Sequence, residues 1–472
     1  MTLLQYQFSP LWTDWLIYFL LVAVVGFVFY ARQHEHLLRP WRQVARRPLA
    51  MAAALVLAVY VAVGLADSIH LRAPLKAGGQ TETVVYSSEV RSLLDIWLAP
   101  LREREEKTYS APFATHLYAK ETIEQADGSV VRQFPRLQYG GAHLDDVSRR
   151  WFDVAARSLR AVLESVAIIV VLAAVVTGYL ARRRRRPFLQ QAALLRQTGE
   201  GLPWLVLGIT AFVIVVVALL LIRLAPYYHV LGTDKIGQDV LYLSLKSIRT
   251  GLVIGTLTTL FVLPFALSLG IMAGYFRGRV DDVIQFIYTT LSSIPGVLLI
   301  VASVLMVQVY IQNNSGQFPT LAERADARLL FLCLILGVTG WVGLCRLLRG
   351  EALKLREMDY IQASQAFGVA HRRILSRHVL PNVMHIVLIT LVLDFSGLVL
   401  AEAVLSYIGV GVDPSMISWG NMINSARLEM AREPVVWWSL AAAFVFMFVL
   451  VLCANLFADA VRDAFDPRVY GH

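Results

Sequence analysis

The chain has 472 residues, of which 57% are hydrophobic and only 16% charged, with a mean hydropathy of +0.59. So little charge excludes an ordinary soluble domain and points to an all-α polytopic membrane protein. The formal charge of +9 does not make nucleic acid a partner, because the arginines gather just outside apolar runs, where topology signals sit.

A bilayer crossing needs about twenty apolar residues. About nine stretches qualify: 14–31, 48–66, 159–181, 203–224, 252–274, 284–311, 329–349, 384–409 and 436–458. The first has neither a basic lead-in nor a small-residue cleavage site, so no cleavable signal is read there. The loop after it carries Arg32, Arg39, Arg42, Arg46 and Arg47, and the loop after the third stretch carries Arg182 to Arg186 and Arg196. Arg277 and Arg279 follow the fifth; Arg349, Lys354, Arg356, Arg372, Arg373 and Arg377 follow the seventh. With nine spans these loops share one side, which the positive-inside rule makes cytoplasmic. The N-terminus is then expected outside and the C-terminus in the cytoplasm. The run Arg182–Arg186 abuts a span and reads as a topology anchor in preference to a contact for nucleic acid or acidic lipid.

Residues 67–158 form the one sizeable hydrophilic block, outside by the same count. Ser88 to Lys107 has helical periodicity, with Val90, Leu93, Leu94, Trp97, Leu98 and Leu101 as its apolar stripe. Leu117–Ile123 and Val130–Phe134 flank Asp127-Gly128, the pattern of a β-hairpin. The block therefore reads as a small α+β insert, which either meets a partner or covers a face of the membrane domain. Deletion of residues 73–155 is expected to leave the six later helices, from about residue 203 onward, able to assemble.

Between the seventh and eighth stretches lies a polar, basic interruption, residues 359–382. A short helix-forming run, Tyr360 to Phe367, is stopped by Gly368, and a basic helical run then ends at Leu380-Pro381. Topology puts this turn in the cytoplasm.

Chemistry is harder to find. The sequence has no Gly-x-x-x-x-Gly-Lys-Ser/Thr phosphate loop, no His-Glu-x-x-His, no Gly-x-Ser-x-Gly and no paired-Cys pattern. Cys333, Cys345 and Cys453 read as buried thiols. His371, His378 and His385 recur at seven-residue spacing without a neighbouring carboxylate or Cys, so no metal site is read there. Asp394 and Glu402 sit within the eighth stretch, eight residues apart and so on one helical face. A carboxylate against lipid is costly; both are expected to face the bundle interior or an aqueous path. Two readings stay open, a translocation pathway or structural hydrogen-bond acceptors. Asn455 and Asp459 read as structural.

Several separated motifs occur in a fixed order. They are Leu231 to Leu241 (LGTDKIGQDVL), Ala273-Gly274-Tyr275-Phe276 with Val280-Asp281, and Gln362-Ala363-Ser364 with Gly368 and Leu380-Pro381. Then come Ala401 to Gly411 (AEAVLSYIGVG), Ser418 to Met422 (SWGNM) and Arg462 to Arg468 (RDAFDPR). From about residue 225 onward, just over half the chain thereby resembles the dipeptide/oligopeptide/nickel permease family of ABC transporters, in the type of its second permease subunit. Two positions depart from the family pattern: Gln362 stands where the coupling motif has Glu, and Gln238 where the external motif has Arg.

The resemblance implies a six-helix permease core at 203–472. In front of it lie two extra helices at 1–66, the insert at 67–158, and a third helix with a basic linker at 159–202. It implies a multi-pass place in a bacterial cytoplasmic (inner) membrane and no enzyme activity in this chain. ATP and Mg would be bound by one or two cytoplasmic ATPase subunits. The other implied partners are a second permease subunit, an extracytoplasmic substrate-binding protein and membrane lipid. The short helix of the turn would sit in a groove of the ATPase, with Tyr360, Gln362, Ala363, Ser364, Ala366, Phe367, Gly368, Arg372, Arg373, Leu380 and Pro381 as coupling residues. Small side chains there allow close approach, and Phe367 offers an apolar anchor. Exposed residues of the outer loops, Asp234, Asp239, Asp413 and Trp419, are candidates for a gate or for binding-protein contact, with loop structure as the plainer reading. Peptide import by alternating access is the leading expectation. Nickel, another small solute or an antimicrobial peptide are alternatives within the family; a membrane-embedded enzyme or a sensor is the alternative outside it.

Overall fold

A computed structural model describes residues 6–75, 85–124, 130–196 and 201–465. Backbone polar groups inside lipid must be satisfied within their own segment, so the apolar runs fold as helices. Strand β1 is Gln7–Phe8, followed by helices α1 (Trp12–Arg32), α2 (Glu35–Val44) and α3 (Pro48–Asp67). The hydrophilic block holds β2 (His70–Leu75), β3 (Val85–Ser92), α4 (Leu93–Trp97), α5 (Ala99–Arg102), β4 (Glu121–Glu124) and β5 (Val130–Gln133). After it come α6 (Arg150–Arg184), α7 (Phe188–Arg196), α8 (Trp204–Leu224), α9 (Val240–Phe276), α10 (Gly278–Ser293) and α11 (Gly296–Asn313). The chain continues with α12 (Leu321–Gly340), α13 (Val342–Arg356), α14 (Asp359–Ala366), α15 (His371–Ile374), α16 (Leu380–Tyr407), α17 (Trp419–Glu429) and α18 (Trp438–Phe465).

Among the described residues eight helices are long and apolar enough to cross a membrane, and α12 with α13, bent by 40°, make a ninth if counted as one. Three expectations change. The stretch 284–311 is broken at Ile294-Pro295, and only α11 is a crossing helix. Pro381 does not end its helix: α15, a wide turn over Leu375–Val379 and α16 run on as one span, His371–Tyr407. The i→i+5 turn, in which the Leu380 N–H reaches Leu375 O, gives the proline ring the room that a regular α-turn denies it. Finally, residues 88–92 are strand, not helix. β3 pairs antiparallel with β2, Arg72 opposite Val90 and His70 opposite Ser92, in the order β1-β2-β3. Helix starts only at Leu93, where the Ser92 hydroxyl accepts from the Asp95 N–H (3.1 Å) and Asp95 accepts from the Ser92 N–H (2.9 Å). The expected hairpin is present as β4 paired with β5; its Asp127-Gly128 turn lies outside the described residues, as do Asp466 to Arg468.

The chain divides into two compact units. The first comprises residues 1–9, 41–250 and 417–457. Here the hydrophilic block is hydrogen-bonded to residues between and after the later helices. Thr233 Oγ1 accepts from the Ser110 N–H (2.7 Å), Tyr109 OH donates to Glu429 (3.2 Å), and Trp438 Nε1 donates to Thr233 O (2.9 Å). Through Tyr109 and Ser110 the block is thus hydrogen-bonded to residues of the loop before α9 and of α17.

Buried His229 lies between two buried carboxylates, 2.7 Å from Asp239 and 3.4 Å from Glu106. Burial alone lowers the basicity of His229, but hydrogen bonds to Asp239 and then Glu106 outweigh it and raise its pKa to about 9. Burial raises Glu106, yet the His229 bond and the N–H groups of Gln138, Tyr139 and Gly140 hold it at about 2.

The second unit comprises residues 10–40, 251–416 and 458–472. Its core gathers Tyr275, Ile284, Tyr288, Trp341, Leu348, Ile361, Ile374, Val379 and Val383. Helices α9 and α13 meet at backbone distance across Gly270 and Gly274. A Cβ on Gly270 would come within 2.8 Å of Cys345 O, and one on Gly274 within 2.5 Å of Arg349 O. Small residues four apart permit this approach in a setting where helix association rests on packing. Arg349 of α13 also makes a bidentate bond to Asp281 of α10, at 2.6 and 2.7 Å. Helix α1 joins this unit through the Thr13 N–H, which donates to Asp326 at 3.0 Å.

Candidate functional site

Three features of sequence shape the turn at 359–382. In α14 only Ile361 is apolar at the position that points inward; it is fully buried with Ile374, Val379 and Val383. The opposite surface, Gln362, Ala363, Ala366 and Phe367, is exposed. Phe367 is 85% exposed, an unusual fate for an aromatic ring, which gains from leaving water.

Gly368 then ends the helix. Its φ is +73°, a region that costs side-chain-bearing residues energy. The Val369 N–H reaches Ser364 O (3.1 Å) and the Gly368 N–H reaches Gln365 O (3.0 Å), the paired bonds of a left-handed helix stop. No atom approaches within 4 Å of a Cβ built there, so glycine is required for backbone conformation and not for space.

Side chains lock the turn to the membrane helices of its unit. Tyr275, at the end of α9, is 2.8 Å from His371 Nδ1 through its hydroxyl and accepts from Gln365 Nε2 at 3.2 Å. Arg356 donates to Tyr275 O at 2.8 Å. Asn382 Nδ2 donates to Tyr360 OH at 3.2 Å, joining the two ends of the turn. Gln362 is exposed and donates to Glu357 O at 3.3 Å, while Glu357 pairs with Arg277. The Ser364 hydroxyl turns back to Tyr360 O (2.7 Å). Arg372 and Arg373 are exposed, as is Arg377, and among the described residues their guanidinium groups make no ion pair. Leu380 packs on the core and Pro381 is exposed. The result is an exposed aromatic ring beside exposed cations, on a base bonded to α9 and α16 and packed on the core of the unit. Sequence reading missed Tyr275, Gln365 and Arg356 as its fasteners. Tyr275 stood in a recognised motif, but nothing in the pattern joined it to a residue 96 positions away.

The two carboxylates of α16 part company. Glu402 is 2% exposed and accepts from the Ser406 hydroxyl at 2.8 Å, a structural acceptor. Asp394 is exposed, lines a cavity, and has no hydrogen-bond or ion-pair partner among the described residues.

The outer candidates are not the exposed set expected of them. Trp419 and Asp239 are each 1% exposed. Trp419 Nε1 donates to Ser244 O (3.1 Å), and Asp239 pairs with His229 while capping α9 through the Leu241 N–H (2.8 Å). Burial pushes the Asp234 carboxyl up, although it accepts from the Ile236 and Gln238 N–H groups. Asp413 is paired with Arg328 and accepts from the Ser415 N–H and hydroxyl; these bonds overcome its burial and lower its pKa. Short loops that leave membrane helices bury their polar groups against neighbours, which is why polarity alone misjudged their exposure.

Residues 266–470 match the family model described as the binding-protein-dependent transport system inner membrane component. The oligopeptide transport system permease protein OppC of Mycobacterium tuberculosis is 34% identical over 239 residues, covering 51% of this chain and 76% of the relative. OppC of Haemophilus influenzae is 30% identical over 242 residues, covering 51% and 71%. The dipeptide transport system permease protein DppC of Bacillus subtilis is 28% identical over 241 residues, covering 51% and 69%. An inward-facing methionine ABC transporter structure aligns at 16% identity over 48% of this chain and 97% of its own, with a TM-score of 0.37.

Proposed function

This chain belongs to the family of binding-protein-dependent transport system inner membrane components, and on that premise we propose that it imports peptides, driven by a separate ATPase that grips residues 359–382. It is a non-catalytic permease of the second-subunit type. In the proposed cycle, closure of the ATPase pair on ATP moves α14. The bonds of Tyr275, Gln365, Arg356 and Asn382 transmit that movement to α9, α13 and α16, and the membrane path opens in alternation to each side.

The observation that carries this reading is Phe367. A ring left 85% in water, on a helix whose other face is pinned by buried Ile361, is an anchor awaiting a pocket. The free Arg372, Arg373 and Arg377 beside it fit an acidic groove rim. We place 359–382 in the cytoplasm, the N-terminus outside and the C-terminus inside. Residues 203–472 form the transport core in this proposal, since the relatives align to about half the chain. The segments 1–66, 67–158 and 159–202 are this chain's own addition. Peptide as cargo is supported by the names of the oligopeptide and dipeptide relatives.

The test is uptake of labelled di- to pentapeptides by membrane vesicles containing the whole transporter and its binding protein. ATP-dependent accumulation that vanishes when α14 is blocked by a tethered label at Ala366→Cys supports the proposal. Accumulation that survives complete labelling refutes the coupling role, and no accumulation of any peptide refutes the cargo.

A further inference from the structure

Within the second unit, α9, α12, α13 and α16 line an open-mouthed cavity of about 430 Å³, inside the range of small-molecule sites, roughly 300–1,000 Å³. Its walls are apolar except for the Thr259 and Thr390 hydroxyls and one charge, Asp394. Asp394 lies inside the continuous span His371–Tyr407, at about 1.5 Å per residue about 20 Å from its nearer end. An ionisable group at that depth without a protein partner is expensive to keep and marks a path or a ligand.

Three glycines, Gly340, Gly343 and Gly397, shape the cavity. A Cβ on Gly343 or Gly397 would meet nothing within 4 Å, and one on Gly340 only a Val262 methyl at 3.8 Å. These glycines are not needed for helix contact within the unit, unlike Gly270 and Gly274. They leave open volume beside the carboxylate.

We propose that this cavity seats the ammonium group of the transported solute, with Asp394 as its counter-charge and the glycine faces making room for its backbone. The inference rests on the import reading above and adds the residue that meets the cationic end of the cargo. A lone anion in an uncharged cavity selects a cation, and an α-ammonium is the cation that every unblocked peptide carries. Glu402 has no such part, being buried and bonded to Ser406.

The experiment uses the complete transporter with Gly397→Cys, whose thiol would enter the open volume, against a background in which Cys333, Cys345 and Cys453 are buried. A cationic methanethiosulfonate reagent is expected to modify it at least tenfold faster than an anionic reagent of similar size. Free-amine peptide should slow the reaction, and adding Asp394→Asn should erase the charge preference. In the otherwise unaltered chain, Asp394→Asn should raise the KM for a free-amine dipeptide about tenfold with its partner subunits still co-purifying, and Asp394→Glu should restore part of the loss. Equal rates with both reagents, or an Asp394→Asn transporter with unchanged KM, overturns the proposal while leaving peptide import intact. Loss of the partner subunits in Asp394→Asn also overturns it, because the carboxylate then pairs inside the assembly. Absence of uptake by the unmodified transporter defeats the import reading instead, which the labelling rates do not depend on.

Discussion

Replacing Phe367 by alanine separates binding from folding. At 85% exposure, a large aromatic of about 200 Å² leaves about 170 Å² in water. Covering that area at about 25 cal/mol per Å² is worth at most about 4 kcal/mol, and truncation of an aromatic anchor at an interface typically costs at least about 2 kcal/mol. Phe367→Ala should therefore weaken the ATPase by about 2–4 kcal/mol, roughly 30- to 900-fold in Kd. The ring packs on nothing in the core, so the melting temperature of the isolated permease in detergent should not move. The assay is titration of the purified ATPase onto immobilised permease, beside a thermal scan of each variant. Unchanged affinity refutes the anchor. A fall in melting temperature equal to the loss in binding refutes the claim that the ring is idle in the free chain.

Gly368→Val should cost about 1–3 kcal/mol of local strain at a φ of +73° and leave ATP hydrolysis running without peptide uptake. Gly368→Asn, which tolerates that region, should keep most uptake, and equal behaviour of the two variants counts against the backbone argument. Gly274→Val drives a side chain into Arg349 O and should abolish accumulation of folded protein, read by size-exclusion profile. Removing residues 73–155, by contrast with the sequence expectation, should destabilise the outer loops, seen as new protease cleavage around 226–239. The His229 cluster gives a pH signature. His229 is raised to about 9 from 6.5, so its contribution is complete below about 6.5 and is lost as pH rises through 9. Glu106 is lowered to about 2 from 4.5, so its contribution holds above about 4.5 and is lost as pH falls through 2. Resistance of the hydrophilic block to proteolysis should thus be greatest between about 4.5 and 6.5 and weaken at alkaline pH. His229→Ala strands two buried carboxylates at a cost of about 3–5 kcal/mol and should remove the alkaline step, and a step that persists would be inconsistent with this assignment.

The number of crossing helices, the stop at Gly368, the β4–β5 pairing and the ordered family motifs were legible in the sequence. Each is set by residues within a few positions: lipid forces an apolar run to satisfy its own backbone, and a positive φ selects glycine. Other outcomes were decided by residues far away in the chain. Val90 joins a strand because β2 offers a ladder, and Pro381 continues a helix because Leu375–Val379 widens. Asp239 and Trp419 are buried because His229 and Ser244 take their polar atoms. Glu402 and Asp394, alike in composition and face, differ because one finds Ser406 and the other opens on a cavity. Burial and pairing belong to neighbours in space, and the cost of an unpaired charge depends on both, so only the tertiary structure told the acid bonded to Ser406 from the one that lines a cavity without a partner among the described residues.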